Sequence, residues 1–428
     1  MRYLFCTLAN PGSLGPSVGI ARNLSHLGHQ VAFVSEEDAA PWLNKEDLIY
    51  IPGVPHRPTG FDARLWYDTA SASFQCAYIA DAVRTFAPDV LVGHQLTLGP
   101  HIVHEVLGIP LAVIGLAAWM YPTRSGSGLW LLRNESQWRH DQFVARLDSA
   151  RACLGLPPLD VNIKETPVQG DLFLLRSVPA LEHNVDDLPS RVHLVGAAIE
   201  PLPTLPSDLD QWISQPGQYL YVQQGRTFDC PRFLDNVIAA FADTPVRVIV
   251  DSANIDGGLP ARWPSNFFAR PGICESAVLN RVSAVVTTGH STTVLAALCH
   301  GVPMLLFPNG SGTTDIAARC LAADVAIVSD AGSITQAQLR RYVDALCCDQ
   351  RFRDAASNMS CEFASYDAPV IAGNLLEELG ATRKPVMRRS LRMHCQHVGQ
   401  PEEPERRSAV TENPRRRDTR TTTASTHP

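Results

Sequence analysis

Two stretches of this 428-residue chain hold polar side chains in patterns that could do chemistry. In the first, a β-branched run (Val285, Val286, Thr287) leads through Thr288 to Gly289. His290 and a hydroxyl cluster (Ser291, Thr292, Thr293) follow, opening a helical segment that runs to His300. Gly301 stops that helix, and Val302 to Phe307 form another strand. The turn lies at the carboxyl end of a parallel strand, where open α/β sheets bind ligands, and the unpaired N–H groups of a helix start suit a phosphate. An ordinary capped βα turn would use the same residues, since Ser and Thr are good N-caps. Gly225 and Arg226 follow the strand Tyr219 to Gln223 and set a cation beside the same edge.

The second stretch is the pair Ser13 and His94. His94 leaves the strand Val90 to Gly93, and Ser13 lies in the loop Ala9 to Gly15 after the strand Tyr3 to Leu8, so neighbouring strands would bring them close. A histidine titrates near neutrality and suits general-base work, with Ser13 beside it, although a lone histidine is more often a satisfied structural group. Asn10 and Gly12 share the loop. His101 and His104, three apart, lack a third ligand for a metal and read as surface or cleft lining. Trp130 and Trp138 line a pocket for an apolar molecule or close a hydrophobic flap.

The elements that must position these groups alternate. Pro16 opens a helix with Ile20, Leu24 and Leu27 on one face, Gly28 ends it, and Val31 to Val34 is the next strand; the loop lacks the GxGxxG fingerprint. Helices over Ser71 to Phe86 and Leu98 to Leu107 and strands at Val90 to Gly93 and Leu111 to Ile114 continue the series, and a strand at His193 to Val195 closes it. Pro201, Pro203, Pro206 and Pro216 mark a semi-rigid linker, after which strands and helices alternate again. The reading is α/β in two series, 1–200 and 218–380, joined by a linker at 201–217. The polar, Arg-rich stretch 381–428 reads as a disordered tail, and Arg415 to Arg417 could touch an acidic partner.

Composition narrows the class. A net charge of −7 opposes a nucleic-acid-binding body. Eleven scattered cysteines, without CxxC spacing, read as free thiols in a reducing compartment. The longest apolar run, Ile109 to Met120, is too short for a bilayer. A cytoplasmic protein with no stable membrane insertion is expected, and a homodimer or an auxiliary partner is left open.

The Gly28–His29 helix end, the phrase Gly108–Ile109–Pro110, Val195–Gly196 before the linker, and above all GHSTTVLAALCHGVPMLLFP resemble the family 1 glycosyltransferases of the GT-B fold. More narrowly, they are similar to the bacterial enzymes that decorate natural products, over roughly Met1 to Gly380. The resemblance implies an α/β fold of two doubly wound, Rossmann-like domains facing across a cleft, with a nucleotide-activated sugar bound by the C-terminal half and an acceptor by the N-terminal half. It puts Ser13 where that family has its catalytic histidine and His94 where an aspartate orients it. Thr288 stands for the histidine that touches the pyrophosphate, and His290 for a glycine. Ala296 replaces the acidic ribose-holding residue, which favours a TDP-sugar over a UDP-sugar, and Gly312–Thr313 fall on the sugar-binding Asp–Gln pair.

The expected activity is hexosyl transfer from a nucleoside diphosphate-sugar to a small natural-product acceptor, inverting and with no metal or cofactor, as in antibiotic biosynthesis. His94 and Ser13 are the expected catalytic residues. Gly225, Arg226, Thr288, Gly289, His290, Ser291, Thr292, Thr293, Gly312 and Thr313 hold the donor, and Asn10, Gly12, Trp130 and Trp138 the acceptor. A non-catalytic descendant that binds a ligand or partner is the alternative, and a sugar-nucleotide epimerase a third reading.

Overall fold

Short apolar runs bounded by Gly, Pro and Asn, alternating with amphipathic segments, build two wholly parallel sheets in the computed structural model. It describes residues 1–62, 68–121, 133–159, 167–199, 205–225, 228, 230, 232–255 and 259–388. The first half runs β1 (Arg2–Cys6), α1 (Pro11–His26), β2 (Gln30–Val34), α2 (Ala40–Lys45), β3 (Ile49–Tyr50), α3 (Thr69–Phe86), β4 (Val90–His94), α4 (Gly99–Leu107), β5 (Leu111–Ile114), α5 (Arg133–Cys153), β6 (Leu172–Leu175) and β7 (Val192–Leu194). The second runs α6 (Ser207–Ile213), β8 (Gln218–Gln223), α7 (Arg232–Phe241), β9 (Val246–Asp251), β10 (Phe267–Arg270), α8 (Glu275–Leu279), β11 (Ala284–Thr287), α9 (Ser291–Cys299), β12 (Met304–Leu306), α10 (Ser311–Ala322), β13 (Ala326–Val328), α11 (Gln336–Cys348), α12 (Gln350–Ala364) and α13 (Ala368–Thr382).

The strand orders are β3-β2-β1-β4-β5-β6-β7 and β10-β9-β8-β11-β12-β13. Each order reverses direction once, between β1 and β4 and between β8 and β11, and a crevice opens at the carboxyl edge at such a reversal. Both sheets are covered on both faces, which is why their strands are apolar throughout rather than alternating. On the first sheet, Phe5, Val92 and Leu174 face Leu14 and Val18 of α1, while Leu4, Leu91 and Phe173 face the layer of Ile79, Ile102 and Phe143. The second sheet's apolar cluster runs on into Ala117, Ala118, Val178 and Leu181 of the first half, so the halves share buried surface.

Three expectations change. The helix expected to open at Pro16 opens at Pro11, because Asn10 caps it by accepting from the Ser13 N–H, and Pro16 lies inside it. Within the expected linker, 207–213 is helical and seats Leu209 and Ile213 in the second half's core. Of the expected tail, 383–388 is packed: the Val386 N–H donates to Asp171 O at 3.0 Å, and Arg388 donates to Val185 O and Leu188 O. Residues 389–428 lie outside the described residues.

The last described helix returns to the sheet where the chain begins. α13 packs on α1, with Asn23 Nδ2 donating to Pro369 O at 3.0 Å, His29 meeting Glu377 at 2.9 Å, and Leu376 and Leu379 fully buried among first-sheet side chains. Leu376→Ala should therefore destabilise the first half by about 2–5 kcal/mol through a core cavity. Denaturant unfolding followed by tryptophan fluorescence measures it, and a change below about 0.5 kcal/mol, the range of ordinary surface substitutions, would show that α13 is dispensable to that core.

Candidate functional site between the two sheets

The loops after β1 and β4 emerge side by side, because the strands pair in register from Tyr3↔Val90 to Cys6↔Gly93. Asn10 folds over the start of α1: its Oδ1 accepts from Ser13 N and its Nδ2 donates to Ser13 Oγ, both at 3.2 Å. Ser13 and His94 are both buried. They are not hydrogen-bonded to each other, contrary to the expected pairing. His94 Nδ1 instead accepts from the Leu96 N–H at 3.3 Å, and its Nε2 has no protein partner among the described residues. Nor is the ring poised near neutrality. Burial, and then the charge of Arg176, push it down to about 3, because the charged imidazolium is disfavoured in both respects.

Across the cleft, the turn after β11 is built around three contacts. Gly225 N–H donates to Thr288 Oγ1 at 3.1 Å, and that hydroxyl meets His290 Nδ1 at 2.9 Å. The imidazole lies directly on Gly225; a Cβ there would sit 1.8 Å from His290 Cε1. Gly289 takes the left-handed conformation (φ +86°) that the chain needs to turn from β11 into α9.

His290 is the N-cap of α9 without a side-chain capping bond, so Ser291, Thr292 and Thr293 are the first helical residues and not its caps. Their N–H groups point out of the helix start, as any first turn's must. The Thr293 hydroxyl is turned away and donates to Glu275. Burial, with the Asp251 charge adding to it and the Thr293 hydroxyl opposing, raises Glu275 to about 7.

The two edges meet. A Cβ on Gly12 would lie 3.3 Å from Thr292 Oγ1, and one on Gly312 would lie 2.9 Å from Met120 Sδ. Thr313 stands beside Gly289, but its hydroxyl is committed to capping, donating to Gly310 O at 2.8 Å and accepting from Asn309 N at 3.0 Å. Behind this contact, buried charges tie the halves together. Arg139 of α5 pairs with Asp315 of α10. Arg319 donates to Glu182 at 3.2 Å and to Trp119 O at 2.6 Å.

Of the residues singled out in the sequence, Asn10, Gly12 and Ser13 assemble on the first edge with His94, and Gly225 and Thr288 to Thr292 on the second. Gly312 and Thr313 flank the second group, and Trp138 projects into solvent from α5. Arg226 and Trp130 lie outside the described residues. Sequence reasoning missed Arg176, Arg139, Asp315, Glu182 and Arg319. For Arg176 a signal existed, an arginine closing the apolar run Leu172 to Leu175; Arg139, Asp315 and Arg319 sit on helices and Glu182 in a loop, and none reveals its partner until the halves are placed.

No protein-family model matches the chain. It is 28% identical over 431 residues to the 4'-demethylrebeccamycin synthase of Lentzea aerocolonigenes, covering 88% of this chain and 99% of that one. Other curated relatives that it matches at lower identity are named as glycosyltransferases. Among solved structures it resembles CalG4, the calicheamicin glycosyltransferase (TM-score 0.69, 20% identity, 89% of this chain and 98% of that one). It also resembles the glycosyltransferase VinC in complex with dTDP (TM-score 0.66, 19% identity, 89% and 100%). The fold is that of GT-B glycosyltransferases, and the chain is a homologue of curated glycosyltransferases along most of its length.

Two outcomes follow from this geometry. Gly225→Ala must push the His290 ring off its seat, an overpacking that costs about 1–3 kcal/mol and should weaken nucleoside diphosphate binding by roughly tenfold or more, read by calorimetric titration. Glu275 has a folded-state pKa raised from 4.5 to about 7, so its contribution to stability is complete below 4.5 and is lost as pH rises through about 7. Glu275→Gln should flatten the decline of Tm over that window, and an unchanged Tm–pH curve in the variant would contradict the assignment.

Proposed function

We propose that this chain transfers a sugar from a nucleoside diphosphate donor to a small, natural-product-type acceptor, with inversion at the anomeric carbon and without a metal. The observation that carries the reading is the meeting of the two switch-point edges, with Gly12 facing Thr292. A donor seated on one edge thus presents its anomeric carbon to an acceptor seated on the other. In this reading residues 1–200 take the acceptor and 218–380 the donor, with 201–217 joining them.

On the donor side, the first-turn N–H groups of α9 at Ser291 and Thr292 face the diphosphate, and the macrodipole of the helix adds to them. Thr288 orients the His290 ring toward the donor site, and Gly225 makes room for it. Glycosyl transfer passes through an oxocarbenium-like state in which negative charge grows on the departing diphosphate. Donors fixed in advance at that place lower the barrier, because they need no reorganisation as the charge appears. Gly312 and Thr313 border the sugar, and Asn10, Gly12 and Ser13 the acceptor.

The dTDP named with VinC, together with Ala296 at a position where a ribose-gripping acid would stand, supports a thymidine diphosphate donor. At a concentration of TDP about a hundred times its Kd, stability should rise by about 2.7 kcal/mol through mass action on the folded state. The decisive assay pairs that melting shift with turnover of TDP- and UDP-sugars against a panel of polyketide and aromatic acceptors. An unchanged Tm with every nucleotide would sink the reading; a shift without turnover on any acceptor would reduce it to ligand binding.

A further inference from the structure

Two segments of chain join the halves, one leaving β7 at Val195 and the other running from α12 to α13 through Ser365 to Asp367. They press against each other: a Cβ on Gly196 would lie 2.6 Å from Tyr366 Cβ. The first segment also turns sharply there, with Gly196 (φ +86°) and Ala198 (φ +46°) both left-handed. An alanine meets a steric cost in that conformation, so its surroundings must hold it. Between the two, Ala197 O accepts from Arg176 Nε at 2.9 Å.

Arg176 follows the last residue of β6, and its side chain is among the largest fully buried ones of the molecule. Other buried arginines have carboxylates: Arg139 has Asp315, Arg151 has Glu105, and Arg319 has Glu182. Among the described residues Arg176 has none, and its donors go to backbone carbonyls. The second of these is Gly12 O, which accepts from Nη1 at 3.3 Å and is open because Pro16, four residues on in α1, has no N–H to offer it. Burying a cation without a counter-charge is costly. What the guanidinium supplies in return is a rigid fork of donors that serves two separate segments of chain at once.

Gly12 is also where the first edge meets the second, since a Cβ on it would lie 3.3 Å from Thr292 Oγ1. A path of direct contacts therefore leads from Tyr366 to Gly196, along the backbone to Ala197, across Arg176 to Gly12, and so to Thr292. We propose that Arg176 is a positioning residue that ties the seat of Gly12 to the crossing between the halves, so that the acceptor edge stands at its working distance from Thr292 only while the halves hold this placement. The proposal rests on the glycosyl-transfer reading for its effect on turnover. Arg176 touches neither substrate; it acts through Gly12 O, and a shift there carries Ser13 and its Asn10 cap with it.

A misplacement of about 1 Å caused far from the chemistry can slow a reaction about a hundredfold, so Arg176→Met should lower kcat by roughly ten- to a hundredfold. The Kd of TDP, whose seat is on α9 and Gly225, should stay within about twofold of the wild-type value. Gly196→Ala, which forces the two crossings apart, should also lower kcat. The double variant should be little slower than the slower single one, because both changes break one path. A loss of kcat matched by an equal loss of TDP affinity, or effects that multiply in the double variant, would overturn the proposal.

Amide hydrogen exchange tests the path without any substrate, because a contact path becomes coupling only when a change at one end is felt at the other. Gly196→Ala should speed exchange at Ser13, Leu14 and Gly15 when Arg176 is present and should add nothing in the Arg176→Met background. Unchanged exchange at these amides, or the same increment in both backgrounds, would sink the assignment. Tyr366→Ala and Arg176→Gln disturb the same two links and replace either first variant if it does not fold. If no acceptor reacts and no nucleotide shifts Tm, the glycosyl-transfer reading fails, while the exchange experiment still decides whether Arg176 ties Gly12 to the crossing.

Discussion

A guanidinium from α10, Arg319, reaches into the first half to the carboxylate of Glu182 and the carbonyl of Trp119, and the site depends on that bridge. Two parallel sheets each deliver their loops to a carboxyl edge, but a reaction between the edges needs them at one spacing. Apolar surface alone would set that spacing loosely, because hydrophobic contact has no direction. A buried ion pair does, since breaking it by removing one partner leaves an unpaired charge and costs about 3–5 kcal/mol. Arg139 with Asp315 acts in the same way beside Met120, and the two pairs hold Gly12 to Thr292 and Met120 to Gly312 in contact.

The same constraint explains why glycines stand where side chains would be more stabilising. Gly225 lies under the His290 ring at an approach that a Cβ would obstruct, while a Cβ on Gly12 or Gly312 would crowd Thr292 or Met120 by a smaller margin. The site is thus assembled from backbone N–H groups and a few locally satisfied side chains. Thr288 serves Gly225 and His290, Asn10 serves Ser13, and Thr313 serves its own helix start. Such a site suits the stabilisation of a charge that appears elsewhere, on a departing diphosphate, better than it suits proton transfer by a side chain. The depressed basicity of His94 belongs to the same picture.

The resemblance to glycosyltransferases and the comparisons agree on the fold and the transferase class. They do not extend to the individual residues at the centre. The resemblance puts Ser13 and His94 where a histidine and an aspartate would stand, yet the two do not form the corresponding hydrogen bond. Aspartate can orient a histidine only by accepting its N–H. A buried neutral histidine whose Nδ1 is already taken by Leu96 cannot do the same for a serine that is held by Asn10.

Strand and helix periodicity by itself determined two doubly wound halves, their order along the chain, and the βα turns at which ligands should gather, because burial of parallel strands on both faces writes continuous apolar runs into the sequence. It also placed Gly289, His290 and the hydroxyls after them at a helix start. β3, with two residues, carried too little pattern to stand out from turn sequence, and β6, β10 and β13 were missed although strands as short were recognised. Only the tertiary structure decided that Pro16 lies inside α1, that α13 returns to the first sheet, and that Thr293 turns to Glu275. It alone set Arg176 beneath the first turn of α1 with no counter-charge among the described residues. A side chain's protonation, its partner and its direction depend on atoms more than a hundred residues away, and local pattern carries no record of those distances.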